Sequence, residues 1–195
     1  MQTIVKSVNG IQEISVEAAL HGNRRLYIAG TIDYEAALAF VRQVMYLTQE
    51  DVGQPIKLFI SSDGGEIDAG MLIYDVLQAN AAPIEVYCLG KAYSMAALLL
   101  CCGQHGRYLL PHSKVMLHEP LIPYGVGGKS SSIQTISESL LKTKQQLEEL
   151  LAKHTGQTAA ALDEITRTDH FFTAGEAVAF GLADGIKDFN EMMEA

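Results

Sequence analysis

The chain has 195 residues, of which 48% are hydrophobic and 19% are charged, so it is long enough to bury a core and does not have the composition of a disordered protein. Its formal net charge of −9 argues against a nucleic-acid partner, because phosphate binding requires clustered lysine and arginine side chains. The longest apolar run covers only residues 95–102, so no membrane-spanning helix is predicted.

Short strand-like runs alternate with helix-like segments over the first two thirds of the chain. Three helices are predicted in this part of the chain. The first begins after Thr31 or Asp33 as its N-cap, the second covers residue 67 to about residue 79, and the third extends from near Ser94 to Gly103. Repeated strand–helix units predict an α/β fold with a largely parallel sheet, and no linker divides the chain into smaller domains, so residues 1–195 are expected to form one domain. The predicted strands cover residues 25–29, 56–61, 84–89, 107–110 and 114–117.

The C-terminal third begins with a glycine- and serine-rich stretch at residues 125–132 and continues as a long predicted helix over about residues 131–154, ended by Gly156. Such a helix would be roughly 35 Å long, and its apolar residues form a heptad-like seam that Thr143 interrupts. Two interpretations stay open: the seam packs against another subunit, or the helix packs on its own sheet. The seam residues are Ile133, Ile136, Leu140, Leu147 and Leu150. A capping box at residues 173–176 starts a last helix that ends at Gly181.

Two features indicate the compartment. The first residues lack the basic start and apolar centre of a signal peptide, which predicts a cytoplasmic protein. Cys88, Cys101 and Cys102 stand in apolar surroundings and form no Cys-x-x-Cys pair. We therefore interpret the cysteines as small core residues and predict neither a disulfide framework nor a metal site.

Four short motifs are candidates for chemistry, and each has an ordinary structural explanation when taken alone. Ser94 stands where a strand meets a helix, near unpaired backbone N–H groups that could hold an oxyanion, but serine is also a common helix cap. The glycines of the turn at residues 62–65 allow a substrate to approach the backbone closely, or only form a tight turn. His118 ends a strand, and Asp169 precedes the capping box. Neither the Gly-x-Ser-x-Gly elbow nor the His-Glu-x-x-His zinc motif is present.

Taken in order, the motifs are far more specific. Over about residues 26–186 the sequence resembles the proteolytic subunit of the Clp protease family. The segments that carry the resemblance are FISSDGG (59–65), AGMLIYD (69–75), AYSM (92–95), VMLHEP (115–120), HTGQ (154–157), DHF (169–171) and the pairs EA and GL within residues 176–182.

The resemblance implies a ClpP/crotonase fold in which the long helix is a handle between two stacked seven-membered rings, a tetradecamer. The glycine-rich stretch before the helix would be a strand that lines the active site and pairs across the rings. It implies a Ser94 nucleophile, a His118 base and an Asp169 that orients the histidine, with the backbone N–H groups of Gly65 and Met95 as oxyanion hole. Polypeptides would be the substrates. No cofactor is implied for this chain, because a partner AAA+ Clp unfoldase would use the ATP.

Several residues depart from the family pattern. Asp63 replaces the usual proline and Ala96 a glycine beside the nucleophile, which indicates a divergent member. Phe59 and Tyr87 fit the hydrophobic pocket that docks the unfoldase, whereas Lys57 and Ala79 stand where aromatic residues are common. The segment before residue 25 is shorter than usual, so the axial pore loops are expected to be reduced or different.

Two other functions stay open. A crotonase-type hydratase or isomerase would share the oxyanion hole but act on acyl-CoA thioesters, and it would not require Ser94, His118 and Asp169 together. A catalytically silent ring subunit could hold the same three residues out of alignment.

Overall fold

A seven-stranded sheet forms the centre of the molecule in the computed structural model, which describes residues 1–7, 10–122 and 125–194. Its strands run in the order β3-β4-β5-β6-β9, and β7 pairs with both β5 and β8. The strands are β1 (Gln2–Ser7), β2 (Gly10–Ser15), β3 (Arg25–Ile32), β4 (Ile56–Gly65), β5 (Ile84–Tyr93), β6 (Arg107–Leu109), β7 (Lys114–Leu117), β8 (His170–Thr173) and β9 (Gly185–Ile186). The helices are α1 (Val16–Gly22), α2 (Tyr34–Glu50), α3 (Ile67–Ala79), α4 (Met95–Cys101), α5 (Ser130–Thr155), α6 (Ala159–Thr166), α7 (Ala174–Phe180) and α8 (Phe189–Met193).

The predicted α/β class is confirmed: strands β3, β4, β5, β6 and β9 pair in parallel, β7 is parallel to β5, and among the described strands of this sheet β8 alone is antiparallel to its neighbour. The central strands are continuous apolar runs because both faces of a parallel sheet are covered. Leu58, Ile60 and Val86 on these strands have no exposed surface. Asp33 is the N-cap of α2, and its carboxylate accepts a hydrogen bond from the Ala36 N–H.

Three predicted strands continue further than expected. The strand predicted at residues 25–29 and ended by Gly30 is β3, which reaches Ile32. The turn predicted at residues 62–65 belongs to β4, which reaches Gly65 through an irregularity after Ile60. Strand β5 continues past Gly90, where φ is +87°, as far as Tyr93. Its first half pairs with β6 and its second half with β7. This change of partner brings the end of β5 beside the end of β7.

The first 24 residues contain elements that the sequence interpretation did not include. Strands β1 and β2 form an antiparallel hairpin separate from the main sheet, and Ser15 caps α1. Because Ile4 and Ile11 are exposed, the hairpin does not need a buried apolar face. Its apolar residues therefore do not alternate with polar ones, and the sequence carries no signal of a half-buried strand.

The long helix is α5, which exceeds the predicted range by one residue at each end and stops at Gly156 in the left-handed conformation, with φ of +75°. Its two halves have different surroundings. Leu147 and Leu150 pack against the main core, whereas Ile133 and Ile136 are 43% and 38% exposed. The apolar seam therefore meets its own domain over only part of its length. The described glycine-rich residues 125–129 form no strand within the single chain, and their pairing across two rings stays a prediction.

The C-terminal region confirms the capping box of Thr173 and Glu176 and the helix end at Gly181. It also contains α8, a further helix that covers two aromatic residues of the sheet. Met192 of α8 is fully buried against Phe59 and Tyr87, which are 2% and 1% exposed. The pocket that the resemblance predicted at Phe59 and Tyr87 is thus filled by the chain's own C-terminal segment.

The three cysteines are buried and unpaired, as predicted from their apolar context. Burial raises the pKa of the Cys88 and Cys101 thiols to about 12, so these groups are not nucleophilic thiolates at neutral pH.

Within the described part of the chain, no helix combines the length and the apolar character needed to cross a membrane.

Candidate active site

Ser94 connects β5 to α4 with an unusual backbone conformation. Its φ of 55° and ψ of −122° are sparsely populated by residues other than glycine. Ser94 is the N-cap residue by position, yet its side chain makes no capping hydrogen bond. The Oγ atom instead lies 2.7 Å from Nε2 of His118. Strain of this kind costs about 1–3 kcal/mol and is concentrated at functional sites.

Strand β7 brings His118 to the serine. The Ser94 N–H donates a hydrogen bond of 2.8 Å to the Met116 carbonyl, which continues the parallel pairing of Tyr93 with Met116. His118 follows two residues later, at the carboxyl end of the strand, where the sites of parallel sheets tend to lie. The next residue, Glu119, donates its N–H to the Thr166 carbonyl at 2.8 Å, which holds the segment against α6.

Asp169 reaches the histidine through the antiparallel pairing of β7 with β8. That register places Leu117 opposite His170, so the positions just beyond, His118 and Asp169, face each other. Nδ1 of His118 and Oδ1 of Asp169 are 3.6 Å apart, which is longer than a hydrogen bond. The histidine side chain is 18% exposed and the aspartate 63%. The structure therefore joins Ser94 to His118 by a hydrogen-bond contact and leaves Asp169 close to the histidine.

The two glycines at the end of β4 allow very close packing. A Cβ atom on Gly64, whose φ is +94°, would lie 2.8 Å from the Cβ of Ser94 and 3.0 Å from the Met95 nitrogen. A Cβ on Gly65 would overlap the Ile32 backbone. Side chains are excluded at both positions for different reasons: Gly64 by the serine and Gly65 by the neighbouring strand.

A cleft of about 900 Å³ opens beside Ser94 and His118, and both Gly65 and Met95 line it. One wall is apolar and comes from β7, α4 and α5, through Met116, Leu98, Leu147 and Leu151. The cleft can therefore hold an extended substrate segment with a carbonyl group near Ser94.

A charged cluster on α5 borders the same cleft. Lys144 Nζ lies 2.5 Å from Asp163 Oδ1, 3.0 Å from Glu119 Oε2 and 3.7 Å from Glu148 Oε1. The Asp163 and Glu119 carboxylates raise the pKa of Lys144, so this lysine stays charged. Burial raises the pKa of the Glu148 carboxyl above its usual range.

Sequence reasoning missed Lys144 and Glu148 as residues of the site, and it gave Gly64 no role of its own. The one available signal was the interruption of the apolar seam: Thr143, which breaks it, lines the cleft together with Ser139. Polar residues on an otherwise apolar helical face can mark the position where that face turns from the core to a site.

The local chemistry and the whole-chain comparison agree. A serine hydroxyl within 2.7 Å of a histidine nitrogen is the arrangement that activates serine for attack on a carbonyl group. The family model described as Clp protease matches residues 9–189, a range that includes every residue of the cleft and all seven strands of the main sheet. Clp proteases are serine peptidases that typically form oligomeric rings. The family model extends the resemblance of the ordered motifs to almost the full length of the chain. The chain therefore belongs to the Clp protease family and is a ClpP-like peptidase.

Proposed function

We propose that this chain is a serine endopeptidase subunit in which Ser94, His118 and Asp169 form the catalytic triad. The observation that carries the proposal is the 2.7 Å contact between Ser94 Oγ and His118 Nε2. Its substrates would be unfolded polypeptides and peptides, held in the cleft beside that contact.

In the proposed reaction, Ser94 Oγ attacks the peptide carbonyl carbon while His118 Nε2 accepts the hydroxyl proton. The protonated histidine then gives that proton to the leaving amine, and water releases the acyl group from Ser94 by the same steps in reverse order. Asp169 would stabilise the histidinium through Nδ1, and the present 3.6 Å separation would shorten when the histidine becomes charged. No cofactor takes part, because the side chains supply the nucleophile and the base.

The backbone N–H groups of Gly65 and Met95 would stabilise the negative oxygen of the tetrahedral intermediate. Both residues line the cleft next to Ser94. Met95 is the first residue of α4, and the first N–H groups of a helix have no partner within it. One such donor is typically worth about 10²–10³ in rate.

The subunits would assemble through α5 into heptameric rings and then into a tetradecamer that encloses the sites in a chamber. Support comes from the exposed apolar residues on the N-terminal half of α5, Ile133, Ile136 and Leu141, the last of which is 64% exposed. Apolar side chains along one helix that its own domain leaves uncovered suit a contact between subunits.

A partner AAA+ unfoldase would supply unfolded chains and use the ATP. Docking at Phe59 and Tyr87 would require α8 to move, because Met192 fills that position and Lys57 Nζ donates hydrogen bonds of 2.8 Å to the carbonyls of Met192 and Glu194. Docking elsewhere on the ring would leave α8 in place.

Labelling with a fluorophosphonate probe tests the proposal directly. We expect a single adduct on Ser94, identified by mass spectrometry, and its complete loss in Ser94→Ala. Ser132→Ala is the control, since Ser132 is an exposed serine on α5 that does not line the cleft. Absence of labelling in the assembled protein would reject the active peptidase in favour of a silent subunit. Turnover of acyl-CoA thioesters without labelling would instead favour a crotonase-type enzyme.

A further inference from the structure

One carboxylate oxygen in the cleft lacks a hydrogen-bond donor. The Glu148 side chain is only 14% exposed, and its Oε1 atom is buried without a hydrogen-bond partner among the described residues. Lys144 Nζ is the cation beside it, but at 3.7 Å it is beyond hydrogen-bond reach and is already held by Asp163 and Glu119. Buried polar atoms are normally satisfied, so this oxygen indicates a donor that arrives from outside the chain.

The surroundings of Glu148 restrict the shape of that donor. Leu98, Leu147 and Leu151 line the same cleft, and Leu98 lies one turn after Ser94, with its N–H 3.3 Å from the Ser94 carbonyl. The apolar wall therefore starts at the nucleophile. A side chain entering here packs an apolar stem against leucines and brings its end toward a carboxylate.

Lysine and arginine have this combination, because each carries a cation on an apolar methylene stem. An aliphatic side chain would contact the leucine side chains of the cleft but leave the Glu148 oxygen desolvated and without a donor. The charge of the cleft favours the same class. Five carboxylates line it, and two of them are paired with lysines, Asp63 with Lys91 and Glu119 with Lys144. The five are Asp63, Glu66, Asp68, Glu119 and Glu148.

We infer that Glu148 selects substrates with lysine or arginine on the acyl side of the scissile bond, the residue whose carbonyl Ser94 attacks. This inference rests on the proposed peptidase function. Glu148 would act as a specificity residue: it would bind the substrate side chain and take no part in proton transfer or acyl transfer.

Peptidyl aminomethylcoumarins that differ only in the residue before the fluorophore test the inference on the full-length assembled protein. We expect kcat/KM for lysine and arginine to exceed that for methionine and leucine. Glu148→Gln should lower the lysine-to-methionine ratio by roughly 10- to 100-fold, the range for loss of a hydrogen bond to a charged group. Glu149→Gln is the matched control, because Glu149 is the exposed neighbour on the same helix and accepts a hydrogen bond from the nearby Gln145.

Fluorophosphonate labelling of Ser94 in each variant separates the two proposals. Labelling together with cleavage that favours methionine or leucine, and a ratio unchanged by Glu148→Gln, would overturn the specificity inference and leave the peptidase standing. Absence of labelling and of cleavage of every peptide would overturn both. An equal decrease of the lysine-to-methionine ratio in Glu148→Gln and Glu149→Gln would also count against a role specific to Glu148.

Discussion

At the scale of single residues, the site combines a strained serine with an unsatisfied carboxylate. Ser94 has a positive φ and no capping hydrogen bond from its side chain, and Glu148 has a buried oxygen that no donor of the described residues reaches. Both features cost folding free energy, and the surrounding core must compensate for them. Functional sites commonly contain such local costs, because a reactive or receptive group cannot also be fully satisfied by its own fold.

Glu148 therefore predicts a dependence of stability on pH. Its pKa is raised in the folded state by burial, so its contribution to stability is fully present below the ordinary value of 4.5 and is lost as pH rises through the raised folded value. We expect Glu148→Gln to increase the free energy of unfolding at pH 7 by about 1 kcal/mol, with the difference disappearing toward pH 4.

Urea denaturation at several pH values measures this effect. Glu149→Gln, at an exposed position, should change the free energy of unfolding by less than about 0.5 kcal/mol. A Glu148→Gln protein that is less stable than the wild type at pH 7 would show that the 3.7 Å ion pair with Lys144 outweighs the cost of burying the carboxylate.

At the scale of elements, the site depends on where strands end and change partners. Strand β5 exchanges β6 for β7 after Gly90, and Ser113 fixes this junction by donating to the Cys88 carbonyl and accepting from the Gly90 N–H. The antiparallel pairing of β7 with β8 then carries the chain from His118 to Asp169. Three side chains distant in sequence thus meet because three strand ends meet.

Helix α8 supports a prediction about the opposite end of the sheet. Met192→Ala should lower the free energy of unfolding by about 2–4 kcal/mol, since it removes a fully buried side chain from the Phe59 and Tyr87 cluster. Phe189→Ala on the same helix, at a position 59% exposed, should have an effect below about 0.5 kcal/mol. Denaturation curves of the two variants give the comparison. Equal effects would mean that α8 does not pack on the sheet in solution.

At the scale of the whole molecule, the exposed half of α5 predicts how the subunit associates. The helix is about 39 Å long, and only its C-terminal half is covered by the domain's own core. Ile136→Glu should weaken assembly by at least about tenfold, because a charge would be buried at a subunit contact, while the folded subunit keeps its helical content.

Native mass spectrometry over a range of protein concentrations measures this change, with circular dichroism as the check on folding. Glu138→Gln is the control on the same helix, since Glu138 is exposed and accepts a hydrogen bond from the nearby Gln134. Unchanged assembly of Ile136→Glu would show that rings form without this part of α5.

Much of the local structure follows from local sequence rules. The bounds of α3 and β7 agree with the prediction, because apolar periodicity and flanking turn residues act within a few positions. The hairpin β1–β2 and helix α8 were missed, since short or exposed elements carry little periodic signal. The positions of Phe59 and Tyr87 in the sequence predicted a docking pocket on the surface. Only the tertiary structure shows that the C-terminal Met192 packs over both residues.

The sequence by itself determined the α/β class, the family and the order of the candidate residues, because strand-like runs, caps and ordered motifs are encoded locally. Only the tertiary structure decided the 2.7 Å contact between Ser94 and His118, the 3.6 Å separation of His118 from Asp169, and the burial of Glu148 in the cleft. These distances depend on the register of strands and the packing of α5, which arise from contacts between residues far apart in the chain.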